Sequence, residues 1–203
     1  PLINMRYIPL DNLLNKFIKR AIDIVGSLFA IIIFSPIMLI VAIAIKLTSK
    51  GELIFKQERV GLNRKPFTMY KFRSMRIQDP NEEKSEWTVK DDPRKTKVGN
   101  FIRKTSIDEL PQFFNVLRGD MSLVGTRPPT VDEYEKYKLH HKARLSVKPG
   151  ITGLWQVSGR SEITDFEEVV KLDTEYICHW SMANDIKILL RTVQVVISGK
   201  GSM

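Results

Sequence analysis

Two adjacent carboxylates, Asp108 and Glu109, stand in the stretch Ser106-Ile107-Asp108-Glu109 and are the first candidates for chemistry in this 203-residue chain. Neighbouring side chains on a helix point about 100° apart, so the two cannot share one helix face. Both can project from a helix start, where one acts as nucleophile and the other holds a metal ion. A structural reading competes. Acidic residues favour the first helical turn, and Ser106 with Glu109 alone fits a capping box.

A basic set surrounds this pair. From Lys56 to Arg76 there are seven Lys and Arg against one acid, Glu58. Lys71 and Arg73 fall at the end of a strand candidate, and Arg103 lies five residues before Asp108. Arg127 sits in Gly125-Thr126-Arg127-Pro128-Pro129, and Arg160 closes the glycine-rich stretch that begins at Gly150. Arginines held in Pro- or Gly-shaped loops suit bidentate phosphate binding, and glycines let backbone amides approach an anion. A single arginine of this kind is ordinary surface; the number and the loop contexts carry the argument.

Other polar residues signal less. His140-His141 lacks metal-ligand spacing and reads as solvated helix surface, while Cys178 and His179 read as structural residues near a helix end. Trp155 suits either a stacked base or a core position. No glycine pattern is a P-loop or a dinucleotide fingerprint.

Positioning falls to a mostly helical chain. The 22 residues from Ile24 to Ile45 carry no charge, and Ser35-Pro36 falls in their middle. A straight helix of that length reaches about 33 Å, enough to cross a bilayer core. Pro36 removes a backbone hydrogen bond, so residues 11 to 34 are expected to form one leg and 36 to 47 a return leg. Lys16, Lys19 and Arg20 precede the run, and Lys46, Lys50, Lys56 and Arg59 follow it. Positive charge on both sides fits a re-entrant hairpin that enters and leaves one face; a spanning anchor with a proline kink is the alternative. Beyond it, Leu53 to Glu58 and Phe67 to Phe72 predict a hairpin around Gly61-Leu62-Asn63. Residues 78 to 95 read as a loop, and Lys97 to Lys104 as a short basic helix. A further helix opens at Ser106 with Leu110, Phe113, Phe114 and Leu117 as its apolar face. Thr130 with Glu133 predicts a helix to about Leu145, and Thr164 with Glu167 one to about His179. Between them lies a loop from Lys148 to Arg160, and residues 185 to 197 form the last helix.

Composition limits the reading. The net charge is +9, from 32 Lys and Arg against 23 Asp and Glu. Beside a membrane segment this suits anionic headgroups, and it also serves anionic substrates or nucleic acid. One cysteine excludes an internal disulfide and a multi-cysteine metal site. The apolar run is too long for a signal-peptide core. Pro1 is no initiator, which leads us to expect a fragment or a processed chain.

Several ordered motifs together resemble a known family. They are Lys19-Arg20-Ala21-Ile22-Asp23, Ser35-Pro36, Gln57-Glu58-Arg59-Val60-Gly61, Lys71-Phe72-Arg73-Ser74-Met75, Ser106-Ile107-Asp108-Glu109-Leu110-Pro111-Gln112, Asn115-Val116-Leu117-Arg118-Gly119-Asp120-Met121-Ser122 and Lys148-Pro149-Gly150-Ile151-Thr152-Gly153. From about Leu13 to Lys200 the chain is similar to the bacterial sugar transferases, the monotopic phosphoglycosyl transferases. It resembles most the catalytic domain of the larger members, the undecaprenyl-phosphate hexose-1-phosphate transferases. Where the family commonly has Gly-Pro-Arg-Pro, this chain has Gly125-Thr126-Arg127-Pro128, with the arginine retained.

The resemblance implies a re-entrant membrane helix over 11–47, broken at Ser35-Pro36. It implies a compact cytosolic catalytic domain over 48–203, mainly α with a small β-hairpin, seated on the membrane by interfacial amphipathic helices. The activity implied is a UDP-sugar:undecaprenyl-phosphate sugar-1-phosphate transferase at the cytoplasmic face of the bacterial inner membrane, releasing UMP in the first membrane step of exopolysaccharide, capsule or O-antigen synthesis. Asp108 would be the nucleophile and Glu109 the Mg²⁺-associated carboxylate, both near the metal, with Lys71, Arg73, Arg103, Arg127 and Arg160 on the substrates. No nucleic acid takes part, and a homo-oligomer is compatible. The competing class is a non-catalytic membrane-anchored module that binds anionic lipid or nucleic acid; such a module has no use for the carboxylate pair.

Overall fold

A computed structural model describes residues 8–76, 96–159, 163 and 165–198. The first helix, α1 (Leu13–Thr48), is 36 residues long. Asn12 caps it by accepting from the Leu14 amide at 2.9 Å. The expected break into two legs is absent from its hydrogen bonding: α1 runs through Pro36. The reason lies in the residue before the proline. Pro36 cannot donate to the Ile32 carbonyl, but the Ser35 hydroxyl donates to that same oxygen at 2.8 Å. The vacancy left by proline is thus filled locally. By length and composition α1 could cross a membrane, and its middle exposes Phe29, Ile32, Ile33, Leu39 and Ile40.

Both ends of α1 are held by the rest of the chain. Near the start, Lys19 is buried against Asp185 at 2.6 Å. The Tyr176 hydroxyl and Trp180 indole donate to the same carboxylate. One turn on, Asp23 accepts from the Ser122 hydroxyl and the Leu123 amide, both at 2.9 Å. Arg20 donates to the carbonyls of Val116 and Leu117, each at 2.6 Å. At the other end Val41 and Ile45 pack with Phe72 and Ile102.

The hairpin pairs β1 (Ile54–Val60) with β2 (Pro66–Phe72), with Gln57 opposite Met69 and Arg59 opposite Phe67. Its turn places Asn63 and Arg64 in the left-handed region. Helix α2 (Lys97–Lys104) follows, then one 3-10 turn at Ile107–Glu109, then α3 (Gln112–Arg118). A second small sheet, absent from the sequence reading, pairs β3 (Ser122–Val124) in parallel with β4 (Gly150–Thr152). Strands of three residues are too short to show a period. Gly125 and Gly150 allow this pairing: a Cβ on Gly150 would lie 2.1 Å from the Gly125 nitrogen.

The capping box at Thr130 and Glu133 forms reciprocally, at 2.8 and 3.1 Å. Its helix, α4 (Val131–Glu135), stops far short of Leu145. A 3-10 segment, His140–Ser146, replaces the remainder. It buries Arg144 against Asp173 at 2.7 Å, a pairing that outweighs continued local helix. Helix α5 (Leu154–Val157) is a single turn. Helix α6 (Phe166–Cys178) is capped by Asp165, and Thr164 lies outside the described residues, as does the predicted loop from 78 to 95. Helix α7 (Met182–Ser198) closes the described chain, with Ile186, Leu190, Val193 and Val196 exposed along one side. The main core gathers Met69, Val116, Met121, Val124, Tyr176, Ile177 and Ile188.

Asp185→Asn tests the grip on α1. It leaves the Lys19 ammonium buried without its carboxylate, which costs about 3–5 kcal/mol. Denaturation in detergent should show a loss of this size, while Asp11→Asn, in an exposed pair with Lys16 at 3.5 Å, changes little.

Candidate active site

The carboxylate pair is presented by a strained turn rather than by a helix start. Ser106 adopts φ 56 and makes no side-chain cap. The capping-box explanation of Glu109 therefore fails here. Its carboxylate instead accepts from Lys71 at 2.8 Å. A left-handed non-glycine residue costs about 1–3 kcal/mol, and such strain collects at functional sites. Ile107 and Leu110, on either side of the pair, pack on the apolar cluster that contains Val41, Ile45, Phe72 and Ile102. The end of α1 therefore forms part of the floor under Asp108 and Glu109.

One face of the hairpin supplies the opposing wall. Side chains alternate along a strand, and directly paired residues share a face. Gln57, Arg59, Met69 and Lys71 accordingly point the same way. The outer edge of β2 is completed by Asn115 of α3, which accepts from the Tyr70 amide at 3.0 Å and donates to the Thr68 carbonyl at 2.7 Å. Asn115 is fully buried, so this side-chain amide fixes the strand that carries Lys71. The cleft between these walls is lined by Arg59, Met69, Lys71, Glu109, Gln112, Arg127, Pro128, Gly150, Ile151 and Gln156.

Asp108 is 9% exposed. Burial pushes its carboxyl up to about 6, and Glu109 adds to the rise; Lys71 and Arg103 oppose it. A carboxylate in such a place is poorly hydrated yet faces two cations, which suits a nucleophile. The pair also fits a hard divalent ion, since two neighbouring carboxylates disfavour each other's charge and offer oxygen ligands.

The arginines divide by what their guanidinium groups already hold. Arg127 lines the cleft, half-buried, and its guanidinium has no hydrogen bond or ion pair among the described residues. Arg103 is half-buried and acts on Asp108 through its charge. Arg73 is committed elsewhere: it donates to the carbonyls of Lys50 at 2.8 Å and Ser49 at 3.0 Å, just past α1. Its place is at the helix C-terminus, where a cation is favourable. Arg160 lies outside the described residues. Arg59, Gln112 and Gln156 line the cleft but are not among the site residues expected from the sequence; the alternation that puts Arg59 on the face of Lys71 is the available signal for Arg59.

Trp155 is buried, which favours the core alternative over an open stacking platform. His141 is also buried, contrary to the solvated helix surface expected. His140 and His141 bond Glu167 at 2.9 and 3.0 Å, and these three residues have metal-like proximity. The Lys138 amide donates to His141 Nδ1, however, at 3.1 Å. That leaves the ring proton on Nε2, facing Glu167, and no lone pair there for a metal. The two histidines hold the Glu167 carboxyl down at about 2 and tie the 3-10 segment to α6. A separate groove bounded by Leu154, Glu175, His179, Lys187 and Arg191 has no paired carboxylates and lies away from Asp108.

The chain belongs to the bacterial sugar transferase family, whose sequence profile matches residues 14–199. It is 55% identical over 195 residues to a galactosyl transferase of Streptococcus agalactiae, a match covering 91% of this chain and 43% of that protein. It is 44% identical to the UDP-glucose:undecaprenyl-phosphate glucose-1-phosphate transferase of Escherichia coli, across 95% of this chain and 43% of the relative. A UDP-N-acetylgalactosamine-undecaprenyl-phosphate N-acetylgalactosaminephosphotransferase of Aeromonas hydrophila is 41% identical over 92% of this chain and 45% of its own length. The chain thus spans less than half the length of these relatives.

The charge arrangement makes a signed prediction. In carboxyl-labelled protein, Asp108 should titrate near 6. Glu109→Gln removes a like charge and should lower that midpoint, whereas Lys71→Met removes an opposing one and should raise it. Carbon NMR of the aspartate carboxyls reads all three.

Proposed function

We propose that this chain transfers a sugar-1-phosphate from a UDP-sugar to undecaprenyl phosphate, through a covalent bond to Asp108. The observation that carries the reading is the buried Asp108 beside Glu109, near Lys71 and Arg103 and next to a cleft where the Arg127 guanidinium has no partner among the described residues. Relatives that match almost all of this chain bear names of that reaction.

In the first step an Asp108 carboxylate oxygen attacks the phosphorus that carries the sugar. The new oxygen–phosphorus bond forms as the bond to the UMP oxygen breaks, and UMP leaves. In the second step a phosphate oxygen of the acceptor attacks the same phosphorus, forming the diphosphate and restoring Asp108. Dividing the transfer in two means that donor and acceptor need never be bound at the same time. Lys71, Arg103 and Arg127 offset negative charge on the phosphoryl oxygens. Arg127 has the planar fork that matches a diphosphate, and Arg160 is proposed to assist it. Asp108 and Glu109 are the residues that would hold Mg²⁺, which when bound supplies further charge neutralisation at the phosphates.

The chain is proposed to work at the cytoplasmic face of the bacterial inner membrane, opening assembly of an exopolysaccharide, capsule or O-antigen. Residues 11–47 are proposed to dip into one leaflet and return, with α1 bending at Pro36 while remaining one helix. Basic residues at both ends of the run support that topology. So does the fact that both ends of α1 pack on the same body.

Incubation with a UDP-sugar alone should add the mass of a sugar phosphate to the protein, and undecaprenyl phosphate should remove it. Asp108→Asn should keep the fold and lose at least about 10³-fold in turnover. Turnover within tenfold of wild type, without deamidation, overturns the assignment. A panel of UDP-sugars identifies the donor.

Topology has its own test. With Cys178→Ser as background, single cysteines at Asn15 and at Ser49 should both resist an impermeant thiol reagent on intact cells. Both should react once the cells are opened. Labelling of one site from outside establishes a spanning helix.

A further inference from the structure

The loop that presents Arg127 is held by two other arginines. Arg59, on β1, donates to the Pro128 carbonyl at 3.0 Å. Arg144, in the 3-10 segment, donates to the Arg127 carbonyl at 3.4 Å. These are consecutive peptide oxygens, reached from two elements far apart in sequence. Both arginines are buried, at 7% and 3% exposure. Each is itself locked by a further partner. Gln57 accepts from Arg59 Nε and Nη2 at 3.1 and 2.7 Å. Asp173 accepts from Arg144 Nε at 2.7 Å, and Tyr137 accepts from its Nη1.

The surrounding backbone adds to the grip. The Thr126 hydroxyl donates to the Arg144 carbonyl at 2.9 Å, and the Val60 amide donates to the Pro129 carbonyl at 3.0 Å. Residues 126 to 129 are therefore tied at every position, while the Arg127 guanidinium is left without a partner among the described residues. The three arginines differ accordingly: two have spent their donors on backbone and side-chain oxygens, and the third keeps its planar fork for a ligand.

We propose that Arg59 and Arg144 are positioning residues that grip the Pro128 and Arg127 carbonyls and thereby aim the free Arg127 guanidinium at a diphosphate in the cleft. The proposal rests on the phosphate-transfer reading of the same cleft, and it adds two residues that act through Arg127. Arginine suits the task because one guanidinium can bond a carbonyl and a locking partner at once. A lysine keeps the charge but lacks the rigid fork.

A double-mutant cycle on the full chain in detergent separates positioning from general support. Arg59→Lys and Arg144→Lys are each made with Arg127 present and with Arg127→Ala. Binding of UDP, and separately of inorganic pyrophosphate, is titrated to millimolar concentration by calorimetry, with the melting temperature recorded for every variant. With Arg127 present, each lysine variant should weaken binding about tenfold or more, as misplacement of a binding group by a fraction of an ångström does. In the Arg127→Ala background the same changes should cost less than about twofold, because the group they aim is gone. Equal losses in both backgrounds overturn the proposal and make the two arginines ordinary structural residues. If Arg144→Lys does not fold, the Arg59→Lys arm decides, since its partners are a glutamine, a carbonyl and the partly exposed Glu133 carboxylate at 3.7 Å rather than a fully buried carboxylate. Pyrophosphate binding without UDP binding rejects the nucleotide donor while leaving the cycle readable. Wild-type binding of neither rejects both.

Discussion

The buried contact between Lys19 and Asp185 sets the frame on which the rest of the structure depends. An ammonium and a carboxylate taken out of water are stable only when geometry and further hydrogen bonds are good. Here the carboxylate also accepts from Tyr176 and Trp180, and Tyr176 itself lies in the main core. The start of an otherwise apolar helix is thereby tied to α6 and α7. Asp23 ties the next turn to β3. Once the start of α1 is placed, its far end reaches Phe72 and Ile102, and so the ground on which Ile107 and Leu110 sit. The position of Asp108 relative to the apolar run is thus fixed by packing.

The same logic governs the cations. A chain with a net charge of +9 must distribute arginines without accumulating unpaired buried charge. Arg20, Arg59, Arg73 and Arg144 are spent on backbone carbonyls. Each fixes a segment that local hydrogen bonding leaves open: the end of α3, the loop at Pro128, the end of α1 and the loop at Arg127. Such bonds from a charged donor exceed neutral ones, at about 1.5–3 kcal/mol. Arg127 is the contrast, since the framework holds its backbone and leaves its side chain. In the proposed reaction that residue meets the substrate's charge, so its desolvation is offset only when substrate is bound.

The sequence marked candidate residues more readily than their geometry. Asp108, Glu109, Lys71, Arg103 and Arg127 stood out because residue types and loop contexts carry information without long-range contacts, and the structure brings them to one region. The hairpin was legible through its period, to within two residues at its ends. The continuity of α1 was not, because a proline removes a bond and the repair depends on where the Ser35 hydroxyl turns. Nor was the shortened α4, since Arg144 answers to Asp173, 29 positions away. Arg73 shows the same limit. A basic residue at a strand end looks the same whether it faces a phosphate or the end of a helix, and only the neighbouring Ser49 and Lys50 carbonyls distinguish the two.

The proposed two-step transfer would make a rigid mount useful. In that proposal the nucleophile is reached first by a water-soluble donor and then by an acceptor whose tail stays in lipid. A carboxylate on a mobile linker would spend part of its time at the wrong height for the second step, and loss of orientation costs rate steeply. The cleft wall is built from a hairpin whose outer edge is closed by Asn115, and the floor from the end of the long apolar helix itself. The apolar helix and the candidate site therefore share a hydrophobic cluster. A substitution in Val41 or Ile45 that loosens this cluster changes the setting of Asp108 as directly as one beside it, although neither residue can touch a substrate phosphate. The end of α1 is in this sense part of the scaffold under the candidate site, and its apolar residues serve placement.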